Sequence, residues 1–195
     1  ALIGFTDIMI NDWQELDEAG KMRIIGIIRN NAHVTYQLLL NLLDWAKIQK
    51  SSNNLTPQAI ECNHLVLEVF EQLHAQAEFK QIDLINELDE RSVVWADRPM
   101  ASTIMRNLIS NGIKFTPNGG RIRVSASQYR DNLSICVDDN GTGIAPELIS
   151  RLLEPGRGDS LPGTLNEKGS GLGLMLCVEL AKRNGGEIRV ESQPG

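Results

Sequence analysis

Apolar residues recur at alternating intervals of three and four positions near the start of the chain. The positions of this seam are Ile25, Ile28, Ala32, Thr35, Leu39, Leu42 and Ala46, and only Thr35 among them is polar. Heptad spacing of this kind is typical of a helix that packs along its length against other helices. The stripe is widened by further apolar residues, so the helix needs more than one partner surface; they are Ile24, Leu38 and Trp45.

Residues 1–50 are predicted to form an antiparallel helical hairpin that turns near residues 11–17. Apolar residues near the N-terminus indicate the end of a first helix, and Asp17 can cap the second. A hairpin of this size cannot bury both faces alone, which favours pairing with a second copy into a four-helix bundle. The alternative is that the stripe packs on the rest of the same chain. Because the chain starts inside this pattern and without Met, we expect a fragment of a longer protein.

Helix and strand signals alternate from residue 56 onward, after a polar stretch that predicts a linker at 51–55. We predict helices at 63–81, 99–115, 145–153 and 171–184. Strands are predicted at 82–88, 93–96, 121–128, 133–137 and 187–192. Residues 154–169 are rich in glycine and lack periodicity, which predicts a long loop. The fold class is therefore α+β.

Composition excludes several classes of protein. The chain has 195 residues, of which 42% are hydrophobic and 23% charged, as in ordinary globular domains. A net charge of −6 without a basic stripe argues against a nucleic-acid partner. No apolar run is long enough to span a membrane. Cys62, Cys136 and Cys177 are far apart, which favours a reducing, cytoplasmic compartment over a disulfide scaffold.

Two amides and an ammonium share one face of the helix predicted at 99–115. Asn107, Asn111 and Lys114 follow the spacing i, i+4, i+7. Such a face is compatible with phosphate and with Mg²⁺, which needs only one or two protein oxygens because it keeps most of its waters. Taken alone, the pattern favours a solvated polar face.

A carboxylate follows a predicted strand in the sequence Asp139-Asn-Gly141-Thr-Gly143. A carboxylate at a strand end can accept a hydrogen bond from an exocyclic amine such as adenine N6, and the glycines let backbone approach a ring. A plain turn is the alternative for this segment.

A third motif, Gly169-Ser-Gly171-Leu-Gly173, opens the predicted helix at 171–184. Glycines at a helix N-terminus leave backbone N–H groups and the positive end of the dipole open to an anion. The segment does not fit the dinucleotide-binding pattern, since Leu174 stands where a glycine is needed, and it lacks the Gly-Lys-Ser/Thr of a P-loop.

Together and in this order, the three motifs resemble the nucleotide-binding boxes of the GHKL ATPase superfamily, and within it the histidine kinases of two-component systems. The resemblance implies a Bergerat-type α/β sandwich with a mixed sheet over residues 56–195. It also implies that residues 1–50 are the dimerisation and phosphotransfer hairpin.

The resemblance implies a role for each motif residue on the first helix face. Asn111 would be the Mg²⁺ ligand, Asn107 and Lys114 would support the phosphates of ATP, and Phe115 would lie near the nucleotide. Related hydrolysing ATPases carry a glutamate at the position of Asn107, where it activates water. An amide cannot accept a proton at neutral pH, so the branch of kinases is favoured over these ATPases.

The resemblance places the remaining ATP-binding residues in the two loops. Asp139 would hold adenine N6, with Gly141 and Gly143 beside the base. The segment facing the phosphates would comprise Lys168, Gly169, Ser170, Gly171, Leu172 and Gly173. The loop at 154–169 would be the ATP lid, although Leu153 and Gly156 replace two aromatic residues of the family pattern.

The phosphoacceptor histidine of the family is expected upstream of Ala1, so no catalytic residue is predicted in this chain. Three histidines are present, and we expect them to be ordinary helical residues: His33, His64 and His74. The last strand of the family is expected after Pro194.

The resemblance therefore implies the cytoplasmic catalytic core of a sensor histidine kinase, in a parent that could be anchored in the inner membrane. It would bind ATP and Mg²⁺ and transfer the γ-phosphoryl group to a hairpin histidine, then to an aspartate of a response-regulator receiver domain. The expected partners are a second copy through residues 1–50 and that receiver domain. This truncated chain is not expected to phosphorylate itself. Two alternatives are a degenerate kinase serving as a dimeric binding module and a GHKL ATPase that hydrolyses ATP.

Overall fold

The computed structural model describes residues 2–50, 55–129, 132–152, 163–165 and 171–194. Six helices and five strands lie in these ranges. The helices are α1 (Leu2–Asn11), α2 (Glu18–Lys50), α3 (Cys62–Phe79), α4 (Arg98–Phe115), α5 (Pro146–Leu152) and α6 (Leu172–Arg183). The strands are β1 (Pro57–Glu61), β2 (Asp83–Asn86), β3 (Val93–Asp97), β4 (Arg121–Tyr129) and β5 (Asn132–Asp139).

Helices α1 and α2 pack against each other as the predicted hairpin. Asp17 begins α2, because its carboxylate accepts the backbone N–H of Gly20 at 2.7 Å. The ammonium of Lys21 lies 4.7 Å from the centre of the Trp13 ring and ties the turn to the helix. Ile25 and Leu39 of the seam remain 42% and 53% exposed, so the described part of the chain leaves these two positions largely uncovered.

The strands form two sheets. Strand β4 lies in the middle of a three-stranded sheet, parallel to β2 and antiparallel to β5, which confirms the predicted mixed sheet. Strands β1 and β3 pair antiparallel in a separate two-stranded sheet, with Ala59 opposite Trp95.

The main core lies between the three-stranded sheet and helices α3 and α4. Both helices turn apolar residues at helical spacing toward the sheet, and the strands contribute alternate residues. The most deeply buried members are Val66, Val69, Ile109, Ile122 and Val124, each 0% exposed. A second cluster joins α4 to α6 through Met100, Ile104, Leu176 and Leu180.

Two predictions about strands were incomplete or wrong. Strand β1 was not predicted, because Pro57 has no N–H to donate and so argues against a strand. Proline is tolerated at this position because it is the first residue of β1, which pairs with β3 in a two-stranded sheet. Residues 187–192 were predicted as a strand but have no regular secondary structure. In the described part of the chain no strand pairs with these residues. The hydroxyl oxygen of Ser192 instead accepts the backbone N–H of Ile144 at 2.9 Å.

Among the described residues, none of the helices combines the length and the hydropathy that crossing a membrane requires.

Candidate nucleotide-binding site

Helix α4 carries the first predicted group of site residues, and its start is fixed by Asp97. The Asp97 carboxylate accepts the backbone N–H of Met100 at 3.1 Å, and Pro99 follows in the first turn. The core side of α4 is buried, whereas Asn107, Asn111 and Lys114 are half-buried. The cap and the core contacts therefore set which side chains the helix presents to the site.

The side chain of Asn107 is held between α4 and α6. Its amide N–H donates to the backbone oxygen of Thr103 at 2.8 Å. A β carbon added to Gly173 would lie only 2.9 Å from the amide oxygen of Asn107. Only glycine at position 173 allows the start of α6 to approach this amide so closely.

The start of α6 faces the asparagine-bearing helix. Gly171 is the N-cap residue and has a φ of 70°, a conformation that favours glycine. Leu172 and Gly173 form the first turn, where backbone N–H groups lack partners within the helix. This end of the helix carries partial positive charge, which suits an anion such as a phosphate.

The loop after β5 packs against the end of α4. The N–H of Gly141 donates to the Asp139 carboxylate at 2.9 Å, and the N–H of Thr142 donates to the backbone oxygen of Phe115 at 3.2 Å. A β carbon at Gly141 would stand 2.7 Å from that same oxygen of Phe115. Glycine is therefore required for the loop to lie against the helix.

Desolvation is the largest influence on Asp139 and raises the pKa of its carboxyl group, although the side chain keeps contact with solvent. The N–H of Gly141 opposes this by stabilising the charged form, and the negative charge of Asp138 adds to the increase. The group is thus a carboxylate in a partly dehydrated position, where a hydrogen bond to a ligand is stronger than in bulk water.

Gly143 joins this loop to the C-terminal segment. It has a φ of 66°, and a β carbon here would overlap the backbone oxygen of Gln193. Together with the bond from Ile144 to Ser192, this close approach holds residues 192–193 against the loop.

The predicted residues that the structure describes lie on neighbouring elements, because Gly173 packs on Asn107 and the N–H of Thr142 bonds to the backbone oxygen of Phe115. They border an extended open cleft whose lining also includes parts of α3, β3 and the C-terminal segment. The predicted residues in that lining are Asn107, Asn111, Lys114, Phe115, Asp139, Gly141, Gly143, Gly171 and Gly173. Leu172 lies beside it in the first turn of α6. The predicted residues Lys168, Gly169 and Ser170, and the altered lid positions Leu153 and Gly156, lie outside the described residues.

The predicted site residues at the cleft include polar side chains of both charges. The ammonium of Lys114 lies 4.5 Å from the centre of the Phe115 ring, so the cation and the aromatic face form one unit. Amide oxygens, this ammonium, helix N–H groups and the Asp139 carboxylate are the kinds of group that bind phosphate, a hard cation and an amine. In the described part of the chain no cluster of three or more His, Cys, Asp or Glu residues forms a metal site.

His64 and His74 are not among the described residues that line this cleft. His64 and His74 are exposed on α3, 3.2 Å from Glu68 and 3.7 Å from Glu78. His33 lies within α2.

Two sets of contacts near the site were not predicted. Asn184, just after α6, accepts the N–H of Asp97 at 2.8 Å and so ties the end of α6 to the start of α4. Lys80 and Thr164 meet at the other end of α4. No local pattern signals either set, because the partners are 87 and 84 residues apart in the chain.

Known proteins with similar sequences and folds are kinases and related ATPases. Residues 96–195, more than half of the chain, match the family described as histidine kinase-, DNA gyrase B- and HSP90-like ATPase. All of this chain aligns at 33% identity with the histidine protein kinase DivJ of Caulobacter vibrioides, but it spans only 33% of that protein. It spans 24% and 38% of two further curated relatives.

Two solved structures show the same fold. The Acinetobacter baumannii histidine kinase AdeS has a TM-score of 0.71 at 19% identity, over 99% of this chain and 87% of that one. The histidine kinase ThkA, in complex with the response regulator protein TrrA, has a TM-score of 0.65 at 22% identity, over 98% and 54%. The chain belongs to the histidine kinase-, DNA gyrase B- and HSP90-like ATPase family, and its fold and motifs are those of the ATP-binding catalytic domain of a sensor histidine kinase.

Proposed function

We propose that this chain is the catalytic core of a sensor histidine kinase, which binds Mg·ATP and passes the γ-phosphoryl group to a histidine of the helical hairpin. The observation that carries the proposal is that two motifs contact the helix that bears Asn111: Gly173 at the start of α6 packs on Asn107, and the Asp139 loop bonds to the backbone oxygen of Phe115. Membership of the ATPase family supports the nucleotide, and the sequence likeness to DivJ supports the kinase branch.

In this proposal the adenine ring lies beside the Asp139 loop. Asp139 accepts a hydrogen bond from the exocyclic amine, and Gly141 and Gly143 leave room for the ring. The phosphates lie between the Asn107, Lys114 and Phe115 end of the cleft and the N–H groups of α6. The predicted segment Lys168–Leu172 completes the phosphate contacts.

Asn111 fits the role of a Mg²⁺ ligand. Its half-buried side chain lines the cleft and offers an amide oxygen. Magnesium commonly takes one or two protein oxygens and completes its shell with water and nucleotide phosphates. The bound ion would neutralise charge on the γ-phosphoryl group, which is the main requirement for its transfer.

Transfer to a protein acceptor is favoured over hydrolysis by the surroundings of Asn107. This amide donates to Thr103 and faces Gly173, and it has no basic atom that could take a proton from water. The site thus provides positioning and charge but no general base at this position.

The exposed seam of α2 supports the proposed dimer. Ile25 and Leu39 are uncovered within one chain, and a second hairpin would bury them in a four-helix bundle. We assign residues 1–50 to this hairpin, 51–55 to the linker and 56–195 to the catalytic domain. A response-regulator receiver domain is the proposed second partner, as the fold likeness to ThkA, solved with TrrA, suggests.

The direct test is phosphate labelling of a protein extended at its N-terminus by its natural preceding residues. Incubation with γ-labelled ATP and Mg²⁺ should give protein-bound label that is lost in acid and kept in base, as phosphohistidine requires. The same protein with Asn111→Ala should give none. ATP binding without label would favour the dimeric binding module, and steady release of phosphate would favour a hydrolysing ATPase.

A further inference from the structure

Lys80 is a buried cation at the end of α3, and only 3% of the residue is exposed. Its ammonium donates to the backbone oxygens of Ile113 and Lys114 at 2.7 and 3.0 Å. It also donates to the hydroxyl oxygen of Thr164 at 2.6 Å. We call this arrangement of Lys80, Thr164 and the two backbone oxygens the Lys80 clasp.

The clasp acts on the C-terminal end of α4. The last carbonyl groups of a helix lack partners within it and carry partial negative charge. A buried ammonium is costly unless hydrogen-bonded, and here these carbonyl groups accept its protons. The charge of Lys80 is therefore matched specifically to the end of the helix that bears the site residues.

Thr164 is bound to the same helix end by its backbone and its side chain. Its N–H donates to the backbone oxygen of Lys114 at 3.1 Å. Its hydroxyl donates to the backbone oxygen of Thr116 at 3.1 Å while accepting from Lys80. Thr164 lies within the 154–169 loop that the family resemblance identifies as the ATP lid, so this part of the loop is attached to α4.

The helix end held by the clasp is also part of the cleft. Lys114 and Phe115 line it, and the backbone oxygen of Phe115 accepts the N–H of Thr142 from the Asp139 loop. A change in the last turn of α4 would thus move the proposed phosphate cation and the support of the adenine loop together.

We propose that Lys80 is a positioning residue for the nucleotide site, which fixes the last turn of α4 and holds Thr164 against it. Lys80 touches neither nucleotide nor metal in this proposal; it acts through the backbone of Lys114 and through Thr164. The inference rests on the proposed nucleotide site and adds a determinant of nucleotide affinity that lies outside the three motifs.

The test replaces the Thr164 hydroxyl while keeping the shape of the side chain. Thr164→Val removes one of the acceptors of the Lys80 ammonium and the hydroxyl that donates to Thr116, whereas Thr164→Ser keeps both interactions. Thr56→Val is the matched control, because the Thr56 hydroxyl also bonds a charged group, Asp97 at 3.4 Å, but lies outside the cleft. Affinity for ATP with Mg²⁺ is measured by calorimetry, and the melting temperature is recorded for each variant.

Thr164→Val should weaken ATP binding by about 3- to 10-fold, a loss of the size of one typical protein hydrogen bond. Thr164→Ser should bind ATP within about twofold of the unaltered chain, because serine keeps the hydroxyl that meets Lys80 and Thr116. Thr56→Val should bind ATP as tightly as the unaltered chain, because its hydroxyl lies outside the cleft. Equal affinity of Thr164→Val and the unaltered chain, or equal loss in Thr164→Ser, would overturn the proposal.

Lys80→Met tests the cation itself, because its side chain fills the same space without charge. If Lys80 acts in part through Thr164, the double variant Lys80→Met with Thr164→Val should lose less affinity for ATP than the sum of the two single losses. Additive losses would contradict the clasp. If Lys80→Met does not fold, the Thr164 pair decides alone. Failure of the unaltered chain to bind ATP would overturn the proposed function and the clasp together, whereas normal binding by every variant overturns only the clasp.

Discussion

The amide oxygen of Asn107 and the α carbon of Gly173 stand so close that a β carbon on Gly173 would lie 2.9 Å from that oxygen. The contact joins the asparagine motif to the glycine motif, which are more than 60 residues apart along the chain. Because the other end of the Asn107 amide is bonded to Thr103, the side chain cannot move aside without losing a hydrogen bond. The two motifs therefore depend on each other for their geometry.

Gly173→Ala should weaken ATP binding more than it lowers stability. The added methyl group displaces the Asn107 amide, while the helix gains about 0.5–1 kcal/mol from replacing glycine with alanine. Gly4→Ala in α1 is the control, since a β carbon there meets no atom within 4 Å. Calorimetric affinity and thermal unfolding should be measured for both variants; unchanged affinity in Gly173→Ala would show that the Asn107 position is not critical.

Gly143→Ala should destabilise the domain more than Gly185→Ala. Both glycines have positive φ, 66° and 75°, so an alanine costs about 1–2 kcal/mol at either position. Only at Gly143 does the new β carbon also overlap the backbone of Gln193, whereas at Gly185 it meets no atom within 4 Å. Denaturant unfolding of the two variants gives the difference directly, and equal losses would mean that residue 193 does not pack on the loop.

Asp139→Asn should change how stability depends on pH. Burial raises the pKa of Asp139, so the folded protein holds this proton more tightly than the unfolded chain does. The stabilisation from the protonated group is present at low pH and is lost as the pH rises from about 4, the usual pKa of Asp, through the folded-state pKa. The variant has no such titration and keeps an oxygen that can accept the Gly141 N–H.

The free energy of unfolding of Asp139→Asn, relative to the unaltered chain, should therefore increase with pH over that interval and then level off. Urea unfolding at several pH values between 3.5 and 7.5, a range set around the ordinary pKa of Asp, measures this difference. A difference that is constant or falls with pH would contradict the direction of the pKa shift.

Gln81→Gly should stabilise the domain. Gln81 follows α3 with a φ of 52°, a left-handed conformation that costs a residue with a side chain about 1 kcal/mol relative to glycine. Gln76→Gly, at an exposed position within α3, should instead lose about 1 kcal/mol because glycine weakens a helix interior. Opposite shifts in melting temperature are expected, and a loss in both variants would argue against the positive φ.

Most of the helices and strands could be predicted because the sequence signals for each of them lie within its own segment. Helix α4 was predicted at 99–115 and spans Arg98–Phe115, because its signals, Pro99 near the first turn and the apolar period, lie within the helix itself. Strand β1 was missed and 187–192 was wrongly predicted because strand formation depends on a partner elsewhere in the chain.

The same distinction holds for the site. Asn107, Asn111, Asp139 and Gly173 belong to short motifs with recognisable spacing, and contacts of Gly173 with Asn107 and of the Asp139 loop with Phe115 make these motifs neighbours. The Lys80 clasp has no such motif. A lysine at the end of a helix is usually exposed, and its burial here follows from a contact with Thr164 that only the folded chain creates.

The central claim is that this cleft binds ATP together with Mg²⁺ through Asp139 and Asn111. Calorimetric titration of the chain with ATP, with Mg²⁺ and with EDTA, tests it most directly. We predict saturable 1:1 binding that is weaker by at least about tenfold without the metal and in Asn111→Ala, and lost in Asp139→Ala. Absence of ATP binding in the unaltered chain, or binding that neither Mg²⁺ nor these two substitutions affects, would contradict the account.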